Sequence, residues 1–274
     1  MSQAPSPRIA FIGGGNMASA IIGGLIASGL PTECITVVEP FDAARAALKA
    51  KFGIDALPAA SAALAGHDLV VWAVKPQTFK EAAAAAAPHT ASALHLSVAA
   101  GITTNSIAQW LGTGRIVRAM PNTPALVGKG MTGLFARPEV DAAGQALIER
   151  VIGTTGQLVW VDAEDKLDAV TALSGSGPAY VFLFLEAMTQ AGVDMGLTAA
   201  QSYQLAIATF QGASELAARS DEPASVLRER VTSKGGTTYA AITHMQQAGL
   251  PQHFIAALRK AETRAKELAA EFGK

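Results

Sequence analysis

The feature that most restricts the fold of this chain is a glycine-rich turn close to its start, Ile12-Gly13-Gly14-Gly15-Asn16-Met17-Ala18. Residues 8–12 before it have the character of a strand, with four apolar residues after Arg8, and residues 16–28 after it have a helical pattern of apolar residues. A strand that leads through glycines directly into a helix is the first half of a β-α-β unit. The turn therefore predicts an α/β protein.

The spacing within the turn also predicts a ligand. Gly13, Gly15 and Ala18 occupy the three small-residue positions of the G-x-G-x-x-A dinucleotide fingerprint. Gly13 allows a sharp turn, Gly15 allows a pyrophosphate to approach the backbone, and Ala18 allows the helix to pack closely on the sheet. The helix N-terminus at Asn16 and Met17 offers N–H groups to phosphates. We expect these five residues to bind a dinucleotide; a purely structural turn is the alternative.

Strand-like and helical segments alternate through the first half of the chain. Residues 69–74 form a continuous apolar run, which is typical of a strand buried on both faces of a parallel sheet. The pattern predicts a Rossmann-type, doubly wound sheet. The other predicted strands are residues 8–12, 35–38, 94–97 and 116–119, and the predicted helices are residues 16–28, 42–52 and 77–87.

The second half of the chain has helical patterns and almost no strand signals. The strongest helical segments are residues 179–191, 199–218 and 252–272. The change in composition near residues 161–165 predicts two domains, a dinucleotide-binding domain over residues 1–163 and an all-helical domain over residues 164–274. Because this half is rich in alanine and has wide apolar faces, we expect it to form a homodimer.

Composition excludes several classes of partner. Lys and Arg number 21 against 22 Asp and Glu, so the net charge of -1 gives no reason to expect nucleic-acid binding. Cys34 is the single cysteine, which fits a reducing compartment, and no signal peptide precedes Arg8. The apolar run at residues 181–185 is too short to span a membrane. These observations predict a cytoplasmic protein that has a small-molecule substrate and neither a membrane segment nor a metal site.

Glu39 ends the second predicted strand about 20 residues after the loop, where an acidic residue accepts hydrogen bonds from the adenine ribose. A carboxylate there repels a 2′-phosphate, which favours NADH over NADPH. Arg45 could offset this preference if it folds back over the ribose. We therefore expect NADPH or NADH as the cofactor and leave the choice open; Glu39 could also serve only as the end of its strand.

Five further segments go beyond a generic dinucleotide-binding pattern. They are Ala73-Val74-Lys75-Pro76-Gln77, Ser97-Val98-Ala99-Ala100-Gly101-Ile102, Met120-Pro121-Asn122-Thr123-Pro124, residues 173–180 (LSGSGPAY) and residues 231–238 (VTSKGGTT). Their order and spacing resemble the pyrroline-5-carboxylate reductase family along the whole chain. The resemblance implies an N-terminal Rossmann domain followed by a helical dimerisation domain, with dimers assembled into larger rings such as decamers. It implies an oxidoreductase that reduces the cyclic imine 1-pyrroline-5-carboxylate to L-proline with NAD(P)H, the last step of proline biosynthesis.

The first three of these segments supply the remaining expected cofactor contacts. They follow predicted strands, and open α/β sheets bind ligands at the carboxyl ends of their strands. Pro76 lacks an N–H and forces a turn there, while small residues leave room for a flat nicotinamide ring. The expected contacts are Ala73, Val74, Lys75, Pro76, Ala99, Ala100 and Asn122.

The last segment fits a substrate carboxylate. Gly235 and Gly236 free the backbone to present N–H groups, and a helix beginning near Thr237 adds its dipole. By resemblance, Thr238 reaches the substrate ring nitrogen and is the expected catalytic residue; the expected substrate contacts are Ser233, Gly235, Gly236, Thr237, Thr238 and Ser174. Alternatively, the two threonines only cap the helix. Lys234 stands where the family usually has proline.

Three other functions stay open. A 3-hydroxyacid dehydrogenase of the same architecture needs a catalytic lysine on a helix of its second domain, and the helix that begins near Gly177 has none at that position. A deazaflavin reductase shares the N-terminal pattern but lacks a loop like that at residues 233–238. A non-catalytic dinucleotide sensor would bind the cofactor without turning over an imine.

Overall fold

A single seven-stranded sheet organises the first part of the chain, in a computed structural model that describes residues 6–272. The strand order is β2-β1-β3-β4-β5-β6-β7. Strands β1 to β5 are parallel, β6 is antiparallel to β5, and β7 is parallel to β6. The strands are β1 (Ile9–Ile12), β2 (Ile35–Val38), β3 (Leu69–Trp72), β4 (Leu94–Ser97), β5 (Ile116–Met120), β6 (Gly130–Ala136) and β7 (Gly156–Trp160).

The direction in which strands are added to the sheet reverses between β1 and β3. Strand β2 joins one side of β1, and β3, β4 and β5 follow on the other side. This is the doubly wound arrangement, in which ligands bind beyond the carboxyl ends of the strands at the reversal. The predicted fold class is confirmed.

Helices cover both faces of the sheet because alternate residues of each strand point to opposite sides. Ile9 and Phe11 are buried in one core cluster together with residues of α1 and α5, while Ala10 and Ile12 belong to a second cluster with residues of α3 and α4. The helices are α1 (Asn16–Ala27), α2 (Asp42–Phe52), α3 (Pro76–Thr90), α4 (Thr104–Leu111), α5 (Ala142–Ile152) and the short α6 (Lys166–Val170).

The predicted strands and helices of this region are present within a few residues at each end. Four elements were not predicted from the sequence: α4, α5 and the two strands at one side of the sheet, β6 and β7. Strand β6 contains Gly133, at which an added Cβ would lie 2.7 Å from Val170 Cγ1. The glycine is therefore required for the close packing of the strand against α6, and it weakens the strand signal in the sequence.

The remaining elements are helical, as predicted. Helices α7 and α8 pack along one another, and close contact is possible because Gly192 faces Ser202, whose Oγ would lie 2.4 Å from an added Cβ. Phe184 contacts both Phe210 and Phe254 through its ring. The helices are α7 (Gly177–Asp194), α8 (Ala199–Ala218), α9 (Ala224–Arg230), α10 (Thr237–Gln247) and α11 (Leu250–Phe272).

Packing divides the chain into two compact units. The first contains residues 6–176 and 261–272, and the second is Gly177–Lys260. The packing boundary therefore lies after the boundary that the sequence predicts between residues 163 and 164. The predicted boundary also separates the functions of the two domains, and it stays a prediction. Residues 1–5, within the segment for which no signal peptide is expected, lie outside the described residues. Among residues 6–272, no helix combines the length and apolarity that a membrane span needs.

Candidate active site

The turn after β1 has the backbone that its glycines predict. Gly13 has a φ of 96°, and an added Cβ would lie 2.6 Å from the carbonyl oxygen of Ala73, so no other residue fits. Its N–H donates to the Val38 carbonyl at 2.8 Å, which ties the turn to the end of β2. The loop therefore joins the carboxyl ends of β1, β2 and β3.

Space beside the loop fits a dinucleotide. No atom lies within 4 Å of the position that a Cβ on Gly15 would take, whereas Ala18 is fully buried against the sheet. Gly15 is the N-cap of α1, so the first N–H groups of the helix, at Asn16 and Met17, have no side-chain cap. A cavity of about 240 Å³ adjoins the loop, with Lys51 at its wall. An anion can therefore approach backbone N–H groups here.

Glu39 lies at the end of β2 and is only 6% exposed. Its Oε2 accepts from the Gly14 N–H at 2.8 Å, and its Oε1 accepts from the Phe41 N–H at 3.0 Å. Gly14 has no room for a side chain, since a Cβ would lie 2.6 Å from Leu48 Cδ1 and 3.4 Å from Glu39 Oε2. Glu39, which was predicted to bind the adenine ribose, therefore holds the glycine loop in its conformation.

The Arg45 guanidinium reaches the end of β2. Its Nη1 donates to the carbonyl oxygens of Glu39 at 3.0 Å and Pro40 at 2.7 Å, and its Nη2 pairs with the Asp42 carboxylate. These contacts hold the guanidinium between the end of β2 and the first turn of α2. The arginine is therefore held by neutral carbonyls on one side and by a carboxylate on the other.

The segment after β3 leads straight into α3. Lys75 is the N-cap of that helix and Pro76 is its first residue, where the missing N–H of proline costs no hydrogen bond. Pro76 was predicted to force a turn, but it begins a helix instead. Lys75 is exposed, and Ala73 and Val74 are partly exposed beside the glycine loop. All four predicted residues lie at the carboxyl edge of the sheet.

The segment after β4 consists of small residues and is fixed by a hydrogen bond to the end of the strand. Ser97 is fully buried, and its Oγ accepts from the Ala99 N–H at 3.3 Å. Ala99 is buried while Ala100 is exposed at the turn that follows. The two alanines therefore differ, and Ala100 is the one that faces solvent at this edge.

Asn122 joins two predicted groups of residues. It follows β5, and its Nδ2 donates to Ser174 at the hydroxyl (3.2 Å) and at the carbonyl (3.3 Å), while its Oδ1 accepts from the Met131 N–H at 2.9 Å. Ser174 lies in a π-helical turn, Thr171–Gly175. Such turns are rare and are frequent at functional sites. The structure therefore places a predicted cofactor residue and a predicted substrate residue in contact.

A buried charge network that was not predicted from the sequence links β5 to the start of α4. Glu164 Oε1 accepts from the Thr104 N–H at 2.7 Å and from Arg118 Nη1 at 3.1 Å, and its Oε2 accepts from the Thr104 hydroxyl at 2.6 Å. Arg118 lies within β5, and its side chain is 5% exposed. An arginine in an otherwise apolar strand needs a buried partner, so Arg118 was the available signal.

Two other buried groups have altered acidity. Burial lowers the pKa of His95 to about 4, so this histidine is neutral at pH 7. Its Nδ1 accepts from Trp72 Nε1 at 3.1 Å, and its buried Nε2 faces the Thr90 carbonyl without reaching hydrogen-bond geometry. Burial also raises the pKa of Asp168, an effect that the nearby Arg118 charge opposes.

The loop predicted to hold the substrate belongs to the second unit. Gly235 has a φ of 77°, and the Gly236 N–H donates to the Ser233 carbonyl at 3.0 Å, which closes a tight turn. A Cβ on Gly236 would lie 2.7 Å from Ser233 Oγ. Gly236 is the N-cap of α10, so Thr237 and Thr238 occupy the first turn and neither is the cap residue. The N–H groups of that turn receive no side-chain cap.

A larger cavity, about 330 Å³, lies at the opposite edge of the sheet from the glycine loop. Its charged side chains already have partners. Asp68 accepts from the Arg8 N–H, Arg115 donates to the Ser92 carbonyl, and Asp141 caps α5. The cavity is not a candidate for the active site. In residues 6–272, no three His, Cys, Asp or Glu side chains gather as metal ligands would.

The fold and the loop geometry together define a class, the dinucleotide-binding oxidoreductases with a Rossmann-type domain. A family model described as NADP oxidoreductase coenzyme F420-dependent matches residues 8–101, and one described as pyrroline-5-carboxylate reductase dimerisation matches residues 164–268. The chain belongs to the pyrroline-5-carboxylate reductase family.

Similar proteins support this membership across the whole chain. Pyrroline-5-carboxylate reductase of Pseudomonas aeruginosa is 44% identical over 98% of this chain and 99% of its own length. The enzyme of the same name from Haemophilus influenzae is 39% identical over 95% of this chain and 97% of its own. A solved reductase from Coxiella burnetii has a TM-score of 0.89 at 39% identity, covering 97% of this chain and 99% of that one. One from Plasmodium falciparum, with NADP bound, has a TM-score of 0.85 at 26% identity, covering 96% and 98%.

Proposed function

We propose that this chain is a pyrroline-5-carboxylate reductase, which reduces the C=N bond of 1-pyrroline-5-carboxylate to give L-proline with NADPH or NADH. The similarity to reductases of that name over almost the full chain supports the activity. The observation that carries the proposal is the tight turn at Ser233–Gly236, which opens α10 in a chain that also has a dinucleotide loop. The alternatives of the same architecture do not need this turn.

The first unit fits the dinucleotide. Backbone N–H groups at Asn16 and Met17 would hold the pyrophosphate beside Gly15, and Glu39 would accept from the adenine ribose. Ala73 to Pro76, Ala100 and Asn122 line the same edge of the sheet. When bound, the reduced nicotinamide supplies a hydride to the imine carbon. The residues of the chain bind and orient the reactants, and such positioning can supply most of the rate enhancement.

The second unit fits the substrate. The N–H groups at Gly235 and Gly236 and the free N–H groups of the first turn of α10 would hold the carboxylate. The Thr238 hydroxyl would bond to the ring nitrogen, whose protonation makes the C=N carbon most electrophilic. Ser233 and Thr237 flank this position and are proposed substrate contacts. Ser174, whose hydroxyl accepts from Asn122 Nδ2, is also a proposed substrate contact. Thr238 is the proposed catalytic residue.

The assembly that we propose is a homodimer formed through the helical unit. Leu183 and Phe182 of α7 are 63% and 58% exposed, and Leu205 of α8 is 57% exposed. Large apolar side chains exposed on packed helices are typical of an interface. The match to a dimerisation domain over residues 164–268 supports the same conclusion. Association of dimers into a ring such as a decamer is a further proposal, and the single cysteine Cys34 supports a cytoplasmic location.

The decisive assay follows oxidation of NADH and NADPH at the nicotinamide absorbance, with 1-pyrroline-5-carboxylate added last. Oxidation that depends on the imine is expected. Thr238→Ala should lower kcat/KM by about 10- to 100-fold, since it removes one hydrogen bond to the reacting group. Thr243→Ala, which removes the same atoms later in α10, is the matched control and should leave kcat/KM within about twofold. A folded protein that binds a dinucleotide without oxidising it would instead be a sensor.

A further inference from the structure

Two sets of contacts at the end of β2, those of Glu39 and those of the Asp42–Arg45 pair, are not explained by ribose binding alone. The Glu39 carboxylate accepts one backbone N–H at each oxygen, from Gly14 and from Phe41. Glutamine has only one oxygen acceptor, and its amide group would direct a donor at the other N–H. The position therefore requires a carboxylate to hold the glycine loop, whether or not a ribose is bound.

The second set of contacts is that of the pair formed by Asp42 and Arg45. The guanidinium donates to two neutral carbonyls, those of Glu39 and Pro40, and pairs with one carboxylate, that of Asp42. The Asp42 side chain is 93% exposed, and it makes no other hydrogen bond among the described contacts. Its structural contribution to the fold is therefore small, since exposed ion pairs stabilise proteins little. Its effect on Arg45 is direct, because it neutralises the only cation that contacts the backbone at the end of β2 among the described residues.

We propose that Asp42, acting through Arg45, sets the discrimination between a 2′-hydroxyl and a 2′-phosphate on the adenine ribose, while Glu39 holds the glycine loop. A 2′-phosphate at this strand end meets the Glu39 carboxylate and an arginine that is already paired. A 2′-hydroxyl meets a carboxylate that can accept a hydrogen bond. The arrangement favours NADH, and Asp42 is a positioning residue for Arg45. This inference rests on the proposed function, since it concerns the dinucleotide of that reaction.

Release of Arg45 is the direct test. Asp42→Ala leaves the guanidinium with neutral partners and free to pair with a phosphate, which is a stronger, charge-assisted contact. We expect the ratio of the dissociation constants, Kd for NADPH over Kd for NADH, to fall by about fivefold or more at low ionic strength. Asp42→Ala combined with Arg45→Ala should lose this gain. The matched control is Asp55→Ala, which removes an exposed acid paired with Lys49 of the same helix and should leave the ratio within about twofold.

A separate measurement tests the role of Glu39. Glu39→Gln should lower the unfolding temperature of the protein without any dinucleotide, because one loop N–H loses its acceptor in a buried position. A residue that only bound the ribose would not change that temperature.

The results separate this inference from the proposed function. If the wild-type protein binds and oxidises NADH with the imine but Asp42→Ala leaves the Kd ratio unchanged, the inference is wrong and the proposed function stands. An unchanged unfolding temperature for Glu39→Gln overturns the role of Glu39 in holding the glycine loop. If the wild-type protein binds neither dinucleotide by calorimetry, both the inference and the proposed function are overturned.

Discussion

The buried network of Glu164, Arg118 and Thr104 makes a strong prediction about stability. Glu164→Ala leaves the Arg118 guanidinium, in a side chain that is 5% exposed, without its salt-bridge partner. It also leaves the Thr104 N–H and hydroxyl without their acceptor. Breaking one side of a buried ion pair typically costs 3–5 kcal/mol. Because Glu164 is itself 20% exposed and Asp168 lies near Arg118, we expect the lower end, about 3 kcal/mol.

Urea unfolding followed by tryptophan fluorescence measures this loss of unfolding free energy in the first unit, which contains the network. The chain has three tryptophans, Trp72, Trp110 and Trp160, and all three lie in the first unit with the network. A loss of about 3 kcal/mol corresponds to a midpoint lower by about 1 M urea, for an m-value near the upper end of the range for small proteins.

Matched variants distinguish the buried network from a general loss of charge. Asp55→Ala breaks an exposed pair with Lys49 in the same unit and should cost less than about 0.5 kcal/mol. Replacement of both Arg118 and Glu164 by methionine should recover much of the stability, because no charge is then left buried alone. Equal midpoints for Glu164→Ala and Asp55→Ala would refute the role of the buried network.

Three further changes have a defined sign. Lys234→Pro should stabilise the protein by about 0.4–1 kcal/mol in thermal unfolding. Lys234 is the first central residue of the tight turn and Gly235 follows it, and this type of turn accepts proline there. A lower unfolding temperature would contradict this expectation. The pKa of His95 is lowered to about 4 in the fold, so stability present above the unfolded value of 6.5 is lost as the pH falls towards 4, by about 3 kcal/mol in total. His95→Gln should lose less stability than wild type between pH 7 and pH 4, and an equal loss in the two proteins would exclude His95 as the cause. Burial raises the pKa of Asp168, so its contribution is favourable at low pH and is lost as the pH rises through the folded value. Asp168→Asn should therefore be more stable than wild type at pH 7 in urea unfolding, with a difference that shrinks towards pH 3.

The sequence predicted the architecture well because architecture depends on repeating patterns. The apolar runs of β1 to β5 and the helical periods between them identify a doubly wound sheet from residue types alone. The helix at Ala199–Ala218 has the predicted bounds, since Thr198 and Gln201 form a capping box that is visible in the sequence. Strands β6 and β7 were missed because Gly133 serves packing against Val170, and packing between distant segments leaves no periodic signal.

The candidate site divides in the same way. The positions that need glycine, such as Gly13, Gly235 and Gly236, could be predicted from the sequence, because only glycine meets their backbone requirements. Membership of the family could also be predicted from the motifs. The roles of these residues in binding and catalysis stay predictions.

Side-chain partners were decided by the tertiary structure. The sequence indicated that Glu39 ends a strand, but not that its two oxygens hold Gly14 and Phe41. It indicated Asn122 and Ser174 as separate contacts 52 residues apart, but not that they are hydrogen-bonded to each other. Local patterns report how a segment folds because backbone geometry is local, whereas a buried polar group is satisfied by whichever segment the fold brings within about 3 Å.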